Sequence, residues 1–251
     1  MTRAFFPLLK RELAAILLSP IVPTVFTCLA LILGFNYLVC LQVIESGMRT
    51  ISPLAAMFST FPFWIVIMIF TPLLTMRLFS DEYRMGTIEP LLTAPVSMWD
   101  VVLSKFTSAL LAYLLILISP TLIYLGLFYY YAQAQAVLLW GPILLGYLIT
   151  LLIGMFWIAI GLFASCLTKN QIVAAVISFT IIVLMFFVGL LGYLAPDSAF
   201  RGVLGYIFSY DHMLLFNQGF FDTRPIVFYL SGTAFFLALC HQLLSFRKFR
   251  N

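Results

Sequence analysis

Long apolar runs separated by shorter polar segments dominate the pattern of hydrophobic and polar positions along this 251-residue chain. Six runs are continuous rather than alternating, which disfavours half-buried strands and predicts α-helices. A helix rises about 1.5 Å per residue, so about 20 apolar residues cross a hydrocarbon core of roughly 30 Å. The predicted fold is therefore all-α, a polytopic membrane protein with spans over about residues 21–44, 54–76, 98–131, 137–167, 171–194 and 226–246.

Residues 1–20 follow the periodicity of an amphipathic helix. The apolar positions recur at helical spacing and the charged ones fall elsewhere on the wheel; the apolar set is Phe6, Leu9, Leu13, Ile16 and Leu17, and the charged set is Arg3, Lys10, Arg11 and Glu12. Such a helix is expected to lie in the membrane interface. Ser19 and Pro20 end it, so the chain divides into this helix and a six-span domain over residues 21–251.

Prolines and small polar residues predict several helix ends. Ser52 and Pro53 predict the start of the second span, and Pro62 and Pro72 are expected to kink it. The first residues of the third span, as far as Lys105, are predicted to lie at the cytosolic boundary of the membrane. The interiors of the spans are expected to carry no ionisable groups.

Composition supports a bilayer environment. Apolar residues make up 64% of the chain, charged residues make up 9%, and the mean hydropathy is +1.13, which leaves too little polar surface for a soluble globule. The net charge of +4 does not indicate a nucleic-acid partner, because the basic residues lie at span ends. The cysteines Cys28, Cys40, Cys166 and Cys240 lie in or beside apolar runs and are interpreted as small buried residues.

The distribution of Lys and Arg predicts the orientation. With the N-terminus inside, ten of these residues fall on the cytosolic side and only Arg49, Arg201 and Arg224 fall outside. This follows the positive-inside rule and predicts a multi-pass protein of the cell membrane with both termini cytosolic.

Two segments between spans are longer than a turn requires, at residues 77–97 and 195–225. In the first, a short amphipathic helix is predicted with Arg77, Ser80, Asp81 and Arg84 on one face and Leu78 and Met85 opposite. Gly86 is expected to end that helix, Pro90 and Pro95 to prevent its resumption, and Ser97 with Asp100 to open the next helix. Composition alone allows a solvated loop here as well.

The segment at residues 81–97, DEYRMGTIEPLLTAPVS, resembles the signature of type-2 ATP-binding-cassette (ABC) permeases, particularly the gliding-motility-associated branch. The resemblance extends to the N-terminal helix ending in Ser19-Pro20 and to Asp222-Thr223-Arg224 before the last span. It implies an exporter permease that contacts a cytosolic ATPase through a coupling element, formed here by Asp81, Glu82, Tyr83, Arg84, Gly86, Thr87 and Glu89.

The resemblance also implies the partners: two copies of the ATPase and a second permease, identical or paralogous. The sequence has no Gly-x-x-x-x-Gly-Lys-Ser/Thr loop, so ATP and Mg are expected on the partner and no cofactor, catalytic residue or metal site on this chain. The sequence does not decide whether an external accessory subunit also binds, at residues 195–225. Short helices are implied at the outer end of the path, with Phe208, Tyr210, Phe216, Phe220 and Phe221 as gate or cap, although an aromatic belt at the headgroups fits the same residues.

Two other functional classes were weighed. A secondary transporter or channel normally carries ionisable groups near the bilayer midplane, which this sequence lacks. An intramembrane enzyme could use Asp81 and Glu82 near Arg84, but neither His212 nor His241 follows at a useful spacing. Both classes are weaker hypotheses than the ABC permease.

Overall fold

A computed structural model describes residues 5–45, 57–58, 60–93, 96–131, 140–194 and 206–250 of the chain. The regular elements of these residues are helices, in chain order α1 (Phe5–Leu17), α2 (Ile21–Glu45), α3 (Phe61–Thr75), α4 (Ser80–Met85), α5 (Ile88–Thr93), α6 (Met98–Tyr131), α7 (Trp140–Leu167), α8 (Gln171–Leu194), α9 (Ser209–Asn217) and α10 (Thr223–Arg250). Six segments are long and apolar enough to cross a membrane. The all-α class and the six spans are confirmed.

The spans form an inner pair and an outer group. The stretch Phe61–Met85, which contains α3, is 72% buried, and α7 is 67% buried. In each of α2, α8 and α10, only 22% of the residues in the most apolar stretch are buried. Helix α7 packs against α10, α8, α9, α3 and α6, so it is the centre of the bundle. The apolar outer faces of α2, α8 and α10 remain for lipid or another protein chain.

Two glycines, Gly154 and Gly161, allow α7 to approach its neighbours closely. A Cβ atom at Gly161 would overlap the side chain of Thr75 on α3, and one at Gly154 would overlap the ring of Tyr113 on α6. Small residues at helix interfaces are a common means of association inside membranes, because van der Waals contact is a main attraction there.

The second span begins differently from the prediction. Helix α3 starts at Phe61, so Pro62 lies in its first turn, where a missing N–H leaves no intrahelical bond unmade. The predicted kink at Pro62 is therefore wrong, whereas Pro72 does lie inside the helix. Ser52 and Pro53 lie outside the described residues.

Helix α1 packs along α6, but its buried face is rotated from the predicted one. Phe5 and Glu12 are buried, whereas Phe6 is 71% exposed. The prediction that Glu12 lies on the polar outer face is wrong, because Glu12 pairs with Lys105 on α6. The interfacial position of α1 stays a prediction.

Candidate functional site

The segment between the second and third spans folds into two short helices. Helix α4 ends at Gly86, whose φ of 72° lies in the left-handed region that favours glycine, so the predicted helix end is confirmed. Helix α5 then contains Pro90 at its third position. The prediction that Pro90 prevents a further helix is wrong, because a first-turn proline removes an N–H that needs no intrahelical partner. Pro95 lies outside the described residues.

Helix α4 lies against the bundle rather than extending freely into solvent. Ser80 and Tyr83 are buried, and Arg84 and Met85 are exposed. The predicted face is wrong for Arg77, which precedes α4, and for the buried Ser80, whereas Asp81 and Arg84 do share a face and lie 3.5 Å apart. The predicted opposite face is also wrong, because Leu78 is buried and Met85 is exposed. Helix α4 contacts α7 and α8, which bury one side of it.

A buried ionic cluster joins α1, α4 and α6. Lys105 Nζ lies 3.0 Å from Glu12 Oε2 and 2.8 Å from Glu82 Oε1, with the lysine side chain only 2% exposed. Arg11 Nη2 lies 2.6 Å from Glu12 Oε1 and 3.6 Å from Glu82 Oε1. Two carboxylates and two cations thus balance one another, with Lys105, Glu12 and Glu82 largely buried and Arg11 57% exposed.

Opposing effects act on the pKa of Glu12. Burial raises it, but the nearby charge of Lys105 and the hydrogen bonds from Arg11 and Lys105 lower it more, so the pKa lies below the ordinary value. The shift favours the ionised carboxylate that Lys105 requires as counter-ion. Burial raises the pKa of Glu82 above its ordinary value, with Lys105 and Arg11 acting in the opposite direction, so Glu82 is protonated more readily than Glu12.

Ser165 on α7 holds the beginning of α4. Its Oγ accepts hydrogen bonds from the backbone N–H groups of Phe79 at 2.9 Å and Ser80 at 3.1 Å, and donates to the carbonyl of Met76 at 3.2 Å. The first N–H groups of a helix have no intrahelical acceptor, so a hydroxyl from another helix stabilises this end. Ser165 thus joins the fourth span to α4.

Three further contacts attach the segment to its surroundings. Gln171 at the start of α8 donates a hydrogen bond to Asp81. Arg77 Nη1 donates to Ser19 Oγ at 2.9 Å, between α1 and α2. The Arg247 guanidinium lies 4.5 Å from the centre of the Tyr83 ring, which adds a contact with the last span.

The seven predicted coupling residues divide into two groups. Asp81, Glu82 and Tyr83 face inward and make the contacts described above. The others are exposed, around and beyond the left-handed residue; they are Arg84, Gly86, Thr87 and Glu89. The structure therefore brings the seven residues together as one element with an inner anchoring side and an outer accessible edge.

Sequence reasoning missed Glu12, Lys105 and Ser165 as members of this site. Lys105 also corrects the expectation of spans without ionisable groups, because it lies in the third turn of α6 and is buried. A signal was available for Glu12, since it shares a helical face with Leu8 and Ile16, four residues to either side, and both pack against the core. No local pattern marks Ser165.

Helix α9 lies in the second long segment, residues 195–225, of which residues 195–205 are outside the described part. Phe208 and Phe216 are buried and Tyr210 is half-buried, with the Tyr210 ring 6.1 Å from Trp64 and the Phe208 ring 5.4 Å from Phe186. Phe220 and Phe221 are exposed. The five predicted gate residues thus split into three that pack against the spans and two that are exposed, of which Phe221 also lies 6.1 Å from the Phe216 ring.

Neither histidine joins a metal or catalytic group. His212 Nδ1 lies 3.0 Å from the Tyr229 hydroxyl oxygen, and burial lowers the pKa of His212 to about 4, with the charge of Asp222 acting in the opposite direction. His241 stacks on Trp99. Within the described residues no group of three or more His, Cys, Asp or Glu side chains could hold a metal ion.

Comparison with known families identifies a match over most of the chain. The family model described as ABC-2 family transporter protein matches residues 40–246, which include four of the six long apolar helices in full, most of α10 and the segment between α3 and α6. No curated protein matches the chain.

Proposed function

Since this chain belongs to the ABC-2 family of transporter proteins and is a permease component of an ABC transporter, we propose that it forms the path of an exporter as a dimer. The second permease is an identical or paralogous chain, and two copies of a cytosolic ATPase contact residues 77–97. ATP and Mg bind to that ATPase. In this proposal the protein lies in the cell membrane with both termini cytosolic, and it belongs to the gliding-motility-associated branch.

One observation carries the coupling proposal: the segment is anchored on its inner side and exposed on its outer edge. Glu82 pairs with Lys105, Ser165 accepts two N–H groups at the start of α4, and Arg84 is exposed at the end of α4. A partner that pushes on the exposed edge would therefore move an element tied to several spans, whereas a free loop would absorb the movement.

The inner contacts favour a particular route for the movement. Displacement of α4 acts on α7 through Ser165 and on α6 and α1 through the cluster of Lys105, Glu82 and Glu12. Helix α7 is the centre of the bundle, so a shift of its cytosolic end changes the packing of most spans. The free energy for this change comes from ATP on the partner, through its different affinities for the two arrangements.

The dimer proposal rests on the exposed apolar faces of α2, α8 and α10, since one six-span chain encloses little space by itself. At the opposite end of the spans, Phe208, Tyr210 and Phe216 are proposed to cap the path. The exposed Phe220 and Phe221 are available there to the second permease or to an accessory subunit.

The test is to isolate the tagged full chain from its native membrane and identify the proteins that co-purify. We expect a P-loop ATPase in equal amount, lost in the Arg84→Glu variant, because this side chain is exposed at the outer edge and its surface pair with Asp81 contributes little to stability. Lys169→Glu, an exposed change between the fourth and fifth spans, is the matched control and should retain the ATPase.

Two results would contradict the proposal. A chain that is isolated alone and folded at every salt and detergent condition would favour a self-contained channel or carrier. An ATPase retained by the Arg84→Glu and Thr87→Arg variants alike would exclude the edge near Gly86 as its contact. Charge reversal of Glu82 is less informative, because it would also break the buried ionic cluster.

A further inference from the structure

A cavity of about 670 Å³ lies between α1, the adjoining ends of the first two spans and the segment that follows α3. This volume falls within the range of about 300–1,000 Å³ that is typical of small-molecule sites. The cavity is partly open. Its lining contains both apolar and charged side chains.

One wall is apolar and the other is charged. Side chains from the first and second spans, among them Val22, Val25, Phe70 and Leu73, form the apolar wall. The charged wall comprises three cations and three carboxylates: Arg11, Arg77, Lys105, Glu12, Asp81 and Glu82. Such a division fits an amphiphile with a charged head and an apolar tail.

The charges of the wall balance with one exception. Arg11 and Lys105 neutralise Glu12 and Glu82, and Arg84, from outside the cavity, lies 3.5 Å from Asp81. Arg77 donates to the uncharged Ser19 hydroxyl, and no carboxylate of the described residues pairs with it. The lining has equal numbers of cations and carboxylates, but because Arg84 pairs with Asp81 from outside, Arg77 is left without a carboxylate partner among the described residues.

Two hydrogen-bonding atoms of this wall are also unmatched. Within the described part of the chain, Arg77 Nε and Glu82 Oε2 are buried and make no hydrogen bond. A buried donor or acceptor without a partner destabilises the protein, so a ligand that supplies both an acceptor and a donor is favoured. An arginine fork matches the geometry of a phosphate group, and a hydroxyl group can donate to the carboxylate.

We propose that this cavity binds a phospholipid with a net negative, hydroxylated headgroup, the chemistry of phosphatidylglycerol. Arg77 binds the phosphate, the headgroup hydroxyls donate to Glu82, and the acyl chains lie along Val22, Val25, Phe70 and Leu73. Basic pockets between spans at the cytosolic face commonly take anionic lipid headgroups. The inference rests on the proposed function only in assigning this lipid to the cytosolic leaflet.

The experiment uses the purified full chain, with any subunit that accompanies it, and counts bound lipids by native mass spectrometry. Phosphatidylglycerol, phosphatidylcholine and diacylglycerol of the same acyl chains are added separately. We expect one retained phosphatidylglycerol per chain, weaker phosphatidylcholine and the weakest binding for diacylglycerol. Arg77→Gln should weaken phosphatidylglycerol binding about tenfold or more, the usual effect of losing a charged hydrogen bond.

Matched variants separate the site from general electrostatics and from misfolding. Lys169→Gln removes the same charge from an exposed position outside the cavity and should bind lipid as the unchanged chain does. Arg77→Lys keeps the charge but loses the planar fork, and an intermediate affinity is expected. Val25→Phe puts a larger side chain into the apolar part of the cavity, so it should reduce lipid binding although Arg77 is unchanged. Gel filtration verifies that each variant is folded.

Three results would overturn the proposal: equal phosphatidylglycerol binding by Arg77→Gln and the unchanged chain, equal retention of all three lipids, or displacement of the lipid by inorganic phosphate alone. The last would identify a site for free phosphate. Bound lipid is counted and the ATPase is identified in the same preparation. A result that contradicts lipid binding therefore leaves the ATPase proposal testable by itself, and the reverse also holds.

Discussion

The hydroxyl oxygen of Ser165 lies 3.1 Å from the backbone nitrogen of Ser80, so a side chain near the end of the fourth span holds the first turn of a helix 85 residues earlier in the chain. The same oxygen accepts the N–H of Phe79. These two bonds connect the span at the centre of the bundle to the proposed coupling element.

Ser165→Ala should loosen α4 because it leaves two buried N–H groups without an acceptor. We expect a destabilisation of about 1–3 kcal/mol, and a larger fractional loss in the stimulation of the partner ATPase. Thermal unfolding in detergent and the ATPase rate of the complex measure the two effects. Ser178→Ala is the control, because Ser178 bonds only to a carbonyl within its own helix. Equal effects of the two changes would exclude a special role for Ser165.

Lys105→Met should be among the most damaging single changes, because it leaves Glu12 and Glu82 close together without their buried counter-ion. Removing one member of a buried ionic group typically destabilises a protein by about 3–5 kcal/mol. Lys169→Met, at an exposed position, should leave the thermal midpoint unchanged.

A combined variant tests the electrostatic cause of the Lys105 effect. Lys105→Met together with Glu12→Gln and Glu82→Gln removes both uncompensated carboxylates and should recover part of the lost stability. If the triple variant were no more stable than Lys105→Met alone, lost packing rather than unpaired charge would be the cause.

Gly86→Ala should strain the turn between α4 and α5. With φ at 72°, an L-residue is less favourable by about 1–2 kcal/mol, although nothing lies within 4 Å of the added Cβ. Gly86→Asn should be milder, since asparagine tolerates this conformation. Retention of the ATPase on an affinity column measures the functional effect. Gly126→Ala, in open space on α6, is the control and should retain it fully.

Acid should destabilise the packing of α9 against α10 through His212. The pKa of about 4 in the folded chain lies below the ordinary 6.5, so between these values the unfolded chain binds the additional proton. The contribution of neutral His212 to the free energy of unfolding is fully present above about pH 6.5. The free energy of unfolding falls by up to about 3 kcal/mol as the pH decreases to 4.

Thermal midpoints across that pH range measure this effect. His212→Phe should remove the His212 part of the slope and lose the Tyr229 contact at every pH. His241→Gln should keep the slope. An unchanged slope in the His212 variant would assign the acid sensitivity to other groups.

The longest helices were accessible from sequence because their signal is local. The predicted spans at about 98–131 and 171–194 compare with α6 at Met98–Tyr131 and α8 at Gln171–Leu194, where hydropathy changes abruptly at both ends. The end of α4 at Gly86 was accessible for the same reason, since glycine marks a left-handed residue by itself. Pro62 and Pro90 were misjudged because the effect of a proline depends on its position within a helix, which hydropathy does not define.

The sequence by itself determined that this protein lies in a bilayer, how many spans it has, and where a short polar element separates two of them. These features depend on the length of each apolar run and on turn-forming residues, which are local properties of the chain. Only the tertiary structure decided which charges are buried and which helices they join. Glu12 and Lys105 are 93 residues apart, and their pairing depends on how α1 packs along α6. Within a low-dielectric interior such a contact outweighs the outward preference that each charged residue has alone.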